Sequence, residues 1–151
     1  MSTKLNTASF ALLLAMVATS YSALGDCMKL NGMTYCGPGR CVNVNGQAWC
    51  SPFKLGDAVV ANGQPACGPG NCAIINGMAY CSQYNQGGII VINGMAYTGP
   101  GQCIKDANDM AVCSAQFGGD CTLTNGLATC QGGEQTVSAE LAQGCEAGQL
   151  Q

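Results

Sequence analysis

The chain contains no histidine, and that absence removes more chemistry than any other. Serine–histidine and cysteine–histidine nucleophile pairs are excluded, and so is every metal site built on imidazole. Charge is scarce too: charged residues make up 9% of 151 positions, with 5 Lys and Arg against 8 Asp and Glu. No basic stripe exists to neutralise phosphates or to hold an anionic membrane surface, so nucleic acid is not an expected partner. Asn-x-Ser/Thr sequons are missing, and with them any expected N-glycan. The one long apolar run, Phe10 to Ala18, is too short for a stable bilayer anchor, and no second run or hydrophobic tail follows it.

What the sequence does have is cysteine, 12 residues, and glycine, 22. Such a composition matches small secreted disulfide scaffolds and calls for an oxidising compartment. The N-terminus agrees, because Lys4 precedes the apolar run and the small residues Ala23 and Gly25 sit where a signal peptidase reads them. Residues 1–25 are therefore expected to be a signal peptide cleaved before Asp26, with cleavage after Ser22 as the alternative. Beyond it stand four basic residues, Lys29, Arg40, Lys54 and Lys105, against eight acidic ones, a net charge of −4.

Internal repetition organises the rest. Segments beginning at Cys27, Ala58, Ile89 and Cys121 align at offsets of 31, 31 and 32 residues, giving four tandem repeats, 27–57, 58–88, 89–120 and 121–151. The first three hold two half-repeats each; the fourth keeps its first half and loses the second, as a terminal capping repeat does. Most half-repeats centre on Asn-Gly, whose two positive-φ positions suit the type I′ turn of a two-residue hairpin. The expected fold is all-β: disulfide-rich tandem repeats of short β-hairpins, forming a β-solenoid-like or elongated stack.

Counting outward from Asn31-Gly32 sets Cys27 opposite Cys36 in a non-hydrogen-bonded pair, within reach of a disulfide. The repeats test this pairing. In the third copy both cysteines of the first hairpin are replaced together, by Ile89 and Thr98, whereas Cys103 and Cys113 both remain. Partners disappear as a pair, so the expected bridges are Cys27–Cys36, Cys41–Cys50, Cys72–Cys81, Cys103–Cys113 and Cys121–Cys130. Cys67 faces Ala58 and Cys145 faces Gln135; the even total suggests that these two join.

Side-chain alternation groups Met28, Leu30, Met33, Tyr35, Val42, Val44, Trp49, Ala73, Ile75, Met78, Tyr80, Ile90, Ile92, Met95 and Tyr97 on one face of the hairpins. That face is expected to be the buried one, with Met33, Met78 and Met95 as adaptable filler. Tyr35, Trp49, Tyr80 and Tyr97 recur just before the closing position and are the most function-like feature; they either stack on a ligand such as a sugar ring or cover the disulfides as a core ladder, and the shared face favours the core. Asp106 and Asp109 are close carboxylates, but they replace an Asn-Gly turn, and a turn role fits them better than catalysis. The Cys-x4-Cys spacings Cys36/Cys41 and Cys67/Cys72 are wider than metal sites favour. No metal, cofactor or catalytic residue is expected.

In its signal peptide and cysteine-rich repeats the chain resembles the secreted cysteine-rich repeat proteins of filamentous fungi and oomycetes, some of them wall or matrix components and some effectors delivered to a host. The resemblance implies an extracellular, non-enzymatic protein that binds a protein or polysaccharide, the leading expectation being an effector-like role toward a host. A structural wall or matrix component and a carbohydrate-binding module are the alternatives.

Overall fold

Hairpin turns set the architecture. The computed structural model describes residues 25–151, so the expected signal peptide, apart from Gly25, lies outside the described residues. Seven antiparallel hairpins follow one another: β1 (Cys27–Leu30) with β2 (Met33–Cys36), β3 (Cys41–Val44) with β4 (Gln47–Cys50), β5 (Asp57–Ala61) with β6 (Gln64–Gly68), and β7 (Cys72–Ile75) with β8 (Met78–Cys81). Then come β9 (Gly88–Ile92) with β10 (Met95–Gly99), β11 (Cys103–Lys105) with β12 (Ala111–Cys113), and β13 (Cys121–Thr124) with β14 (Leu127–Cys130). At the six Asn-Gly turns asparagine has φ of 49 to 52° and glycine 71 to 80°, the left-handed pair that a type I′ turn needs. The described chain is all-β, and no barrel closes.

The turn fixes the register. Cys27 pairs with Cys36, Cys41 with Cys50, Cys72 with Cys81, Cys103 with Cys113 and Cys121 with Cys130. Each pair is a disulfide with α-carbons 3.9 to 4.1 Å apart. Every bridge closes a loop of about ten residues and contributes roughly 2.5 kcal/mol in the chain-entropy account.

The hairpins stack in sequence order, and their main contacts join neighbours. The core, however, lies on the opposite face from the one expected. Of the residues expected to be buried on the Met/Tyr-bearing face only Ile92 is, joined there by Val112 of the sixth hairpin, while Met33, Met78 and Met95 are 45, 48 and 54% exposed, and the others expected there, the four aromatics included, are half-buried. The other buried apolar residues are small, alanines and cysteines such as Ala48, Ala79, Ala96 and Ala128 with Cys50, Cys67, Cys81 and Cys113. The physical reason is the closeness of the layers. A Cβ added at Gly37, Gly68 or Gly99 would overlap the Cβ of Cys50, Cys81 or Cys113 in the next hairpin. The first glycine of each Gly-Pro-Gly is thus needed for close approach rather than for a positive φ, and methionine has no room between the layers.

The seven-residue linkers are folded into repeated turns. Ser51, Ser82 and Ser114, each following a closing cysteine, are completely buried. Their hydroxyls accept the N–H of Phe53, Tyr84 and Gln116 at 3.4, 3.2 and 3.1 Å. The same hydroxyls tie the linker to the next hairpin: Ser51 donates to the Gly68 carbonyl, Ser114 to the Gln131 carbonyl, and Ser82 meets the Thr98 hydroxyl.

Residues 134–151 form no eighth hairpin. After the Gly132-Gly133 turn the chain reverses and runs back across the stack as a strap, carrying β15 (Val137–Ser138), β16 (Glu140–Leu141), β17 (Glu146–Ala147) and β18 (Gln149–Leu150). It pairs with β10, β8, β4 and β2 in turn, and Gln143 bridges Cys67 between them. The advance is three residues per hairpin: Val137, Glu140, Gln143, Glu146 and Gln149 meet Thr98, Cys81, Cys67, Cys50 and Cys36. Three extended residues span about 10 Å, the spacing of sheets packed face to face, so the strap keeps step with the layers. Every third strap residue before the last is small, Thr136, Ala139, Ala142, Cys145 and Gly148, and points inward half-buried. Gly148 shows why: a Cβ there would sit 3.0 Å from the Tyr35 Cβ and 3.2 Å from both the Ala48 Cβ and the Cys50 Sγ. Inner amides complete the zipper, with Ala139, Ala142 and Gly148 donating to the carbonyls of Ala96, Ala79 and Ala48, each at 2.9 Å.

Cys67 and Cys145 are joined, with α-carbons 5.2 Å apart. A straight stack would keep the third hairpin away from the C-terminus; the returning strap brings Cys145 to it without any compaction. Ala58 opposite Cys67 leaves that sulfur available to the strap.

Candidate functional site

Each residue singled out in the sequence has a place in this frame. All twelve cysteines are bridged, leaving no thiol among the described residues. Tyr35, Trp49, Tyr80 and Tyr97 sit in the middle strand of three-stranded layers, opposite Leu150, Ala147, Leu141 and Ser138 of the strap. Their other neighbours are Met28, Val42, Ala73 and Ile90. The rings are half-buried, and each lies in a cross-strand triad whose other members are apolar except for Ser138 beside Tyr97. The Tyr35 and Tyr97 hydroxyls lie 3.9 and 3.6 Å from the Met33 and Met95 sulfurs.

Asp106 and Asp109 shape the turn of the sixth hairpin. Asp106 accepts the N–H of Asn108 at 2.8 Å and of Met110 at 2.9 Å, while Asp109 holds the positive φ of 58° and pairs with Lys105 at 2.9 Å. Among the described residues no group of three His, Cys, Asp or Glu side chains could hold a metal, and no helix is long and apolar enough to cross a membrane.

Two surface features stand out once small residues have taken the interior. The first residue after the turn is exposed and apolar in four successive hairpins, Met78, Met95, Met110 and Leu127, at 48, 54, 62 and 70%. Methionine is polarizable and unbranched, a residue that adapts to varied partners. In the three hairpins before those four the same place is held by Met33, Gln47 and Gln64.

The second feature lies at the sixth hairpin, whose strands have three residues each where the others have four or five. Two open clefts flank Met110 and Ala111: one of about 370 Å³ edged by Asp106, Leu127 and Glu134, the other of about 450 Å³ edged by Tyr97, Asp109, Val137 and Ser138. Thr136 of the strap lies between them and accepts the Cys113 N–H at 2.9 Å. Met110 and Leu127 carry no sequence signal beyond their place after a turn, and 134–151 reads as a lost hairpin, although a small residue recurs there at every third position.

No protein-family model matches the chain, and no curated protein or solved structure is significantly similar to it. The disulfide-rich, repeated hairpin fold is that of a protein suited to an oxidising extracellular environment and consistent with a binding role there.

Proposed function

We propose that this is a secreted, non-catalytic binding protein, effector-like in character, that engages a macromolecule of its extracellular surroundings through several hairpins at once. The observation carrying this reading is the inversion of burial: alanine, cysteine and serine fill the interior, while Met78, Met95, Met110 and Leu127 stand outside in consecutive layers. Repeated contacts spaced along a rigid stack add through effective concentration, which suits four repeats better than a single pocket does. The missing histidine and the turn roles of Asp106 and Asp109 support a non-catalytic chain.

Fractionating cultures of the source organism grown with and without a host tests the reading. An effector-like binder should appear in the soluble extracellular fraction, rise on host contact and show no hydrolase activity when purified. Extraction from the wall only under reducing conditions would assign it to the matrix, and pelleting with chitin or glucan, lost in Trp49→Ala without unfolding, would assign it to carbohydrate.

A further inference from the structure

At the sixth hairpin the strap leaves one residue of a strand edge unpaired, Ala111 of β12. In β12 the pairing alternates: Cys113 lies opposite its disulfide partner, Val112 opposite Ile104 and Ala111 opposite Lys105. The disulfide pair is a non-hydrogen-bonded one, so Ala111, two residues away, also turns its N–H and C=O outward, toward the strap. Cys113 is met there, its carbonyl accepting the Gln135 N–H at 2.9 Å and its N–H bonding Thr136 Oγ1 at 2.9 Å. The equivalent carbonyls of Ala96, Ala79, Ala48 and Thr34 accept strap amides at 2.9 to 3.0 Å, while that of Pro65 in the third hairpin, where the strap is held by the Cys67–Cys145 bridge, does not. Ala111 receives nothing: neither its N–H nor its C=O has a partner among the described residues beyond the hairpin.

The two clefts open on either side of this edge, one toward the fifth hairpin and one toward the seventh. That is the geometry of strand addition, in which the backbone supplies hydrogen bonds and successive side chains enter pockets on alternate faces. The occupants differ in chemistry. The cleft toward the seventh hairpin sets Leu127 beside Asp106 and Glu134, and neither carboxylate has an ion-pair partner among the described residues. The cleft toward the fifth sets Tyr97 and Val137 beside Asp109, which Lys105 already neutralises. The strap carries Glu140 and Glu146 onward and no basic residue at all.

We propose that β12 is a strand-addition site for an extended segment of a partner protein in which an apolar side chain alternates with Lys or Arg. The segment pairs with the Ala111 N–H and C=O, seats the apolar side chain against Tyr97 and Val137, and places the cation between Asp106 and Glu134. The proposal rests on the binding-protein reading and gives that reading a location.

The test is a nuclear magnetic resonance titration of the chain from Asp26 to Gln151 with an acetylated, amidated hexapeptide of alternating valine and arginine. Amide shifts should centre on Met110 and Ala111, an alternating valine–glutamate peptide should produce none, and Glu134→Lys should weaken the interaction by about tenfold, roughly 1.4 kcal/mol. Ala111→Pro, which removes the edge donor at a position where proline is tolerated, should abolish it; Glu134→Lys, on an exposed side chain, keeps the test decisive should the proline variant misfold. Shifts centred elsewhere, equal response to both peptides, or insensitivity to Glu134→Lys would overturn the site. So would self-association through this edge, seen as a rise in mass that Glu134→Lys leaves unchanged and Ala111→Pro removes. If the site is overturned while the protein still binds a native partner, only the location fails; if the peptide binds as described but the native protein is found wall-bound under reducing extraction, the function fails and the site stands.

Discussion

The fourth and fifth hairpins are near-copies, CAIINGMAYC from Cys72 and IIVINGMAYT from Ile89, yet one is cross-linked and the other is not. Their registers are the same: Ile75 faces Met78 as Ile92 faces Met95, and Ala73 faces Tyr80 as Ile90 faces Tyr97. Both receive the strap, at Cys81 and Tyr80 in one and at Thr98 and Tyr97 in the other. A disulfide is therefore not what determines a hairpin here. The turn sets the register, the neighbouring layers and the strap cover it, and the bridge acts chiefly by restricting the unfolded chain. Where the bridge is missing, Thr98 supplies a different tie. Its hydroxyl is completely buried and bonds the Gly88 carbonyl and the Ser82 hydroxyl, joining both strand ends to the preceding linker.

The comparison makes the strap bridge the most consequential of the six. Cys67–Cys145 closes a separation of 78 residues, whereas the hairpin bridges close 9 or 10. Replacing both partners by alanine should cost about 4 kcal/mol, against about 2.5 for any one hairpin bridge. Urea unfolding of Cys67→Ala/Cys145→Ala beside Cys72→Ala/Cys81→Ala gives both values, and equal losses would mean that the strap is not held as described.

The next effect belongs to the unbridged hairpin. Thr98→Val keeps the shape and removes the hydroxyl, leaving the Gly88 carbonyl and Ser82 short of a buried partner, at a cost of about 2 kcal/mol. Calorimetry should find the midpoint lowered, with protease sensitivity appearing first around residues 82–99. A neutral outcome would leave the fifth hairpin without an account of its stability.

Smaller still is the difference between the two turns. Gly77 and Gly94 have φ of 78 and 74°, so alanine should cost each about 1 kcal/mol. A Cβ at Gly77 also meets the Asn62 side chain at 2.7 Å, while at Gly94 nothing lies within 4 Å. Gly77→Ala should exceed Gly94→Ala by no more than about 0.5 kcal/mol, because the end of an exposed side chain can move. A larger gap would mean that the hairpin tips pack more rigidly than their exposure indicates.

These residues also mark how far the sequence could be read. The hairpins, their registers and their bridges were legible because Asn-Gly fixes a turn and paired cysteines vanish together at Ile89 and Thr98. The buried face was not. Hydrophobicity alone favours Met78 and Tyr80 over Ala79 and Cys81 for the interior, and the deciding fact, glycine-limited approach of the layers at Gly37, Gly68 and Gly99, depends on neighbours 13 or 14 positions along the chain. The strap escaped for a related reason: its period of three matches the spacing of layers rather than any secondary-structure repeat. With it escaped the site at Ala111, which is defined by a hydrogen bond that the strap does not make.

Amide hydrogen exchange along residues 134–151 bears most directly on the central element, a strap zipped through the stack in steps of three. The amides of Ala139, Ala142 and Gly148 donate to hairpin carbonyls, whereas alternation turns those of Ser138, Leu141 and Ala147 away from the hairpins. Slow exchange at the first three and fast exchange at the second three, repeating from the fifth hairpin back to the second, is the predicted result. Uniformly fast exchange from Glu134 to Gln151 would contradict the account.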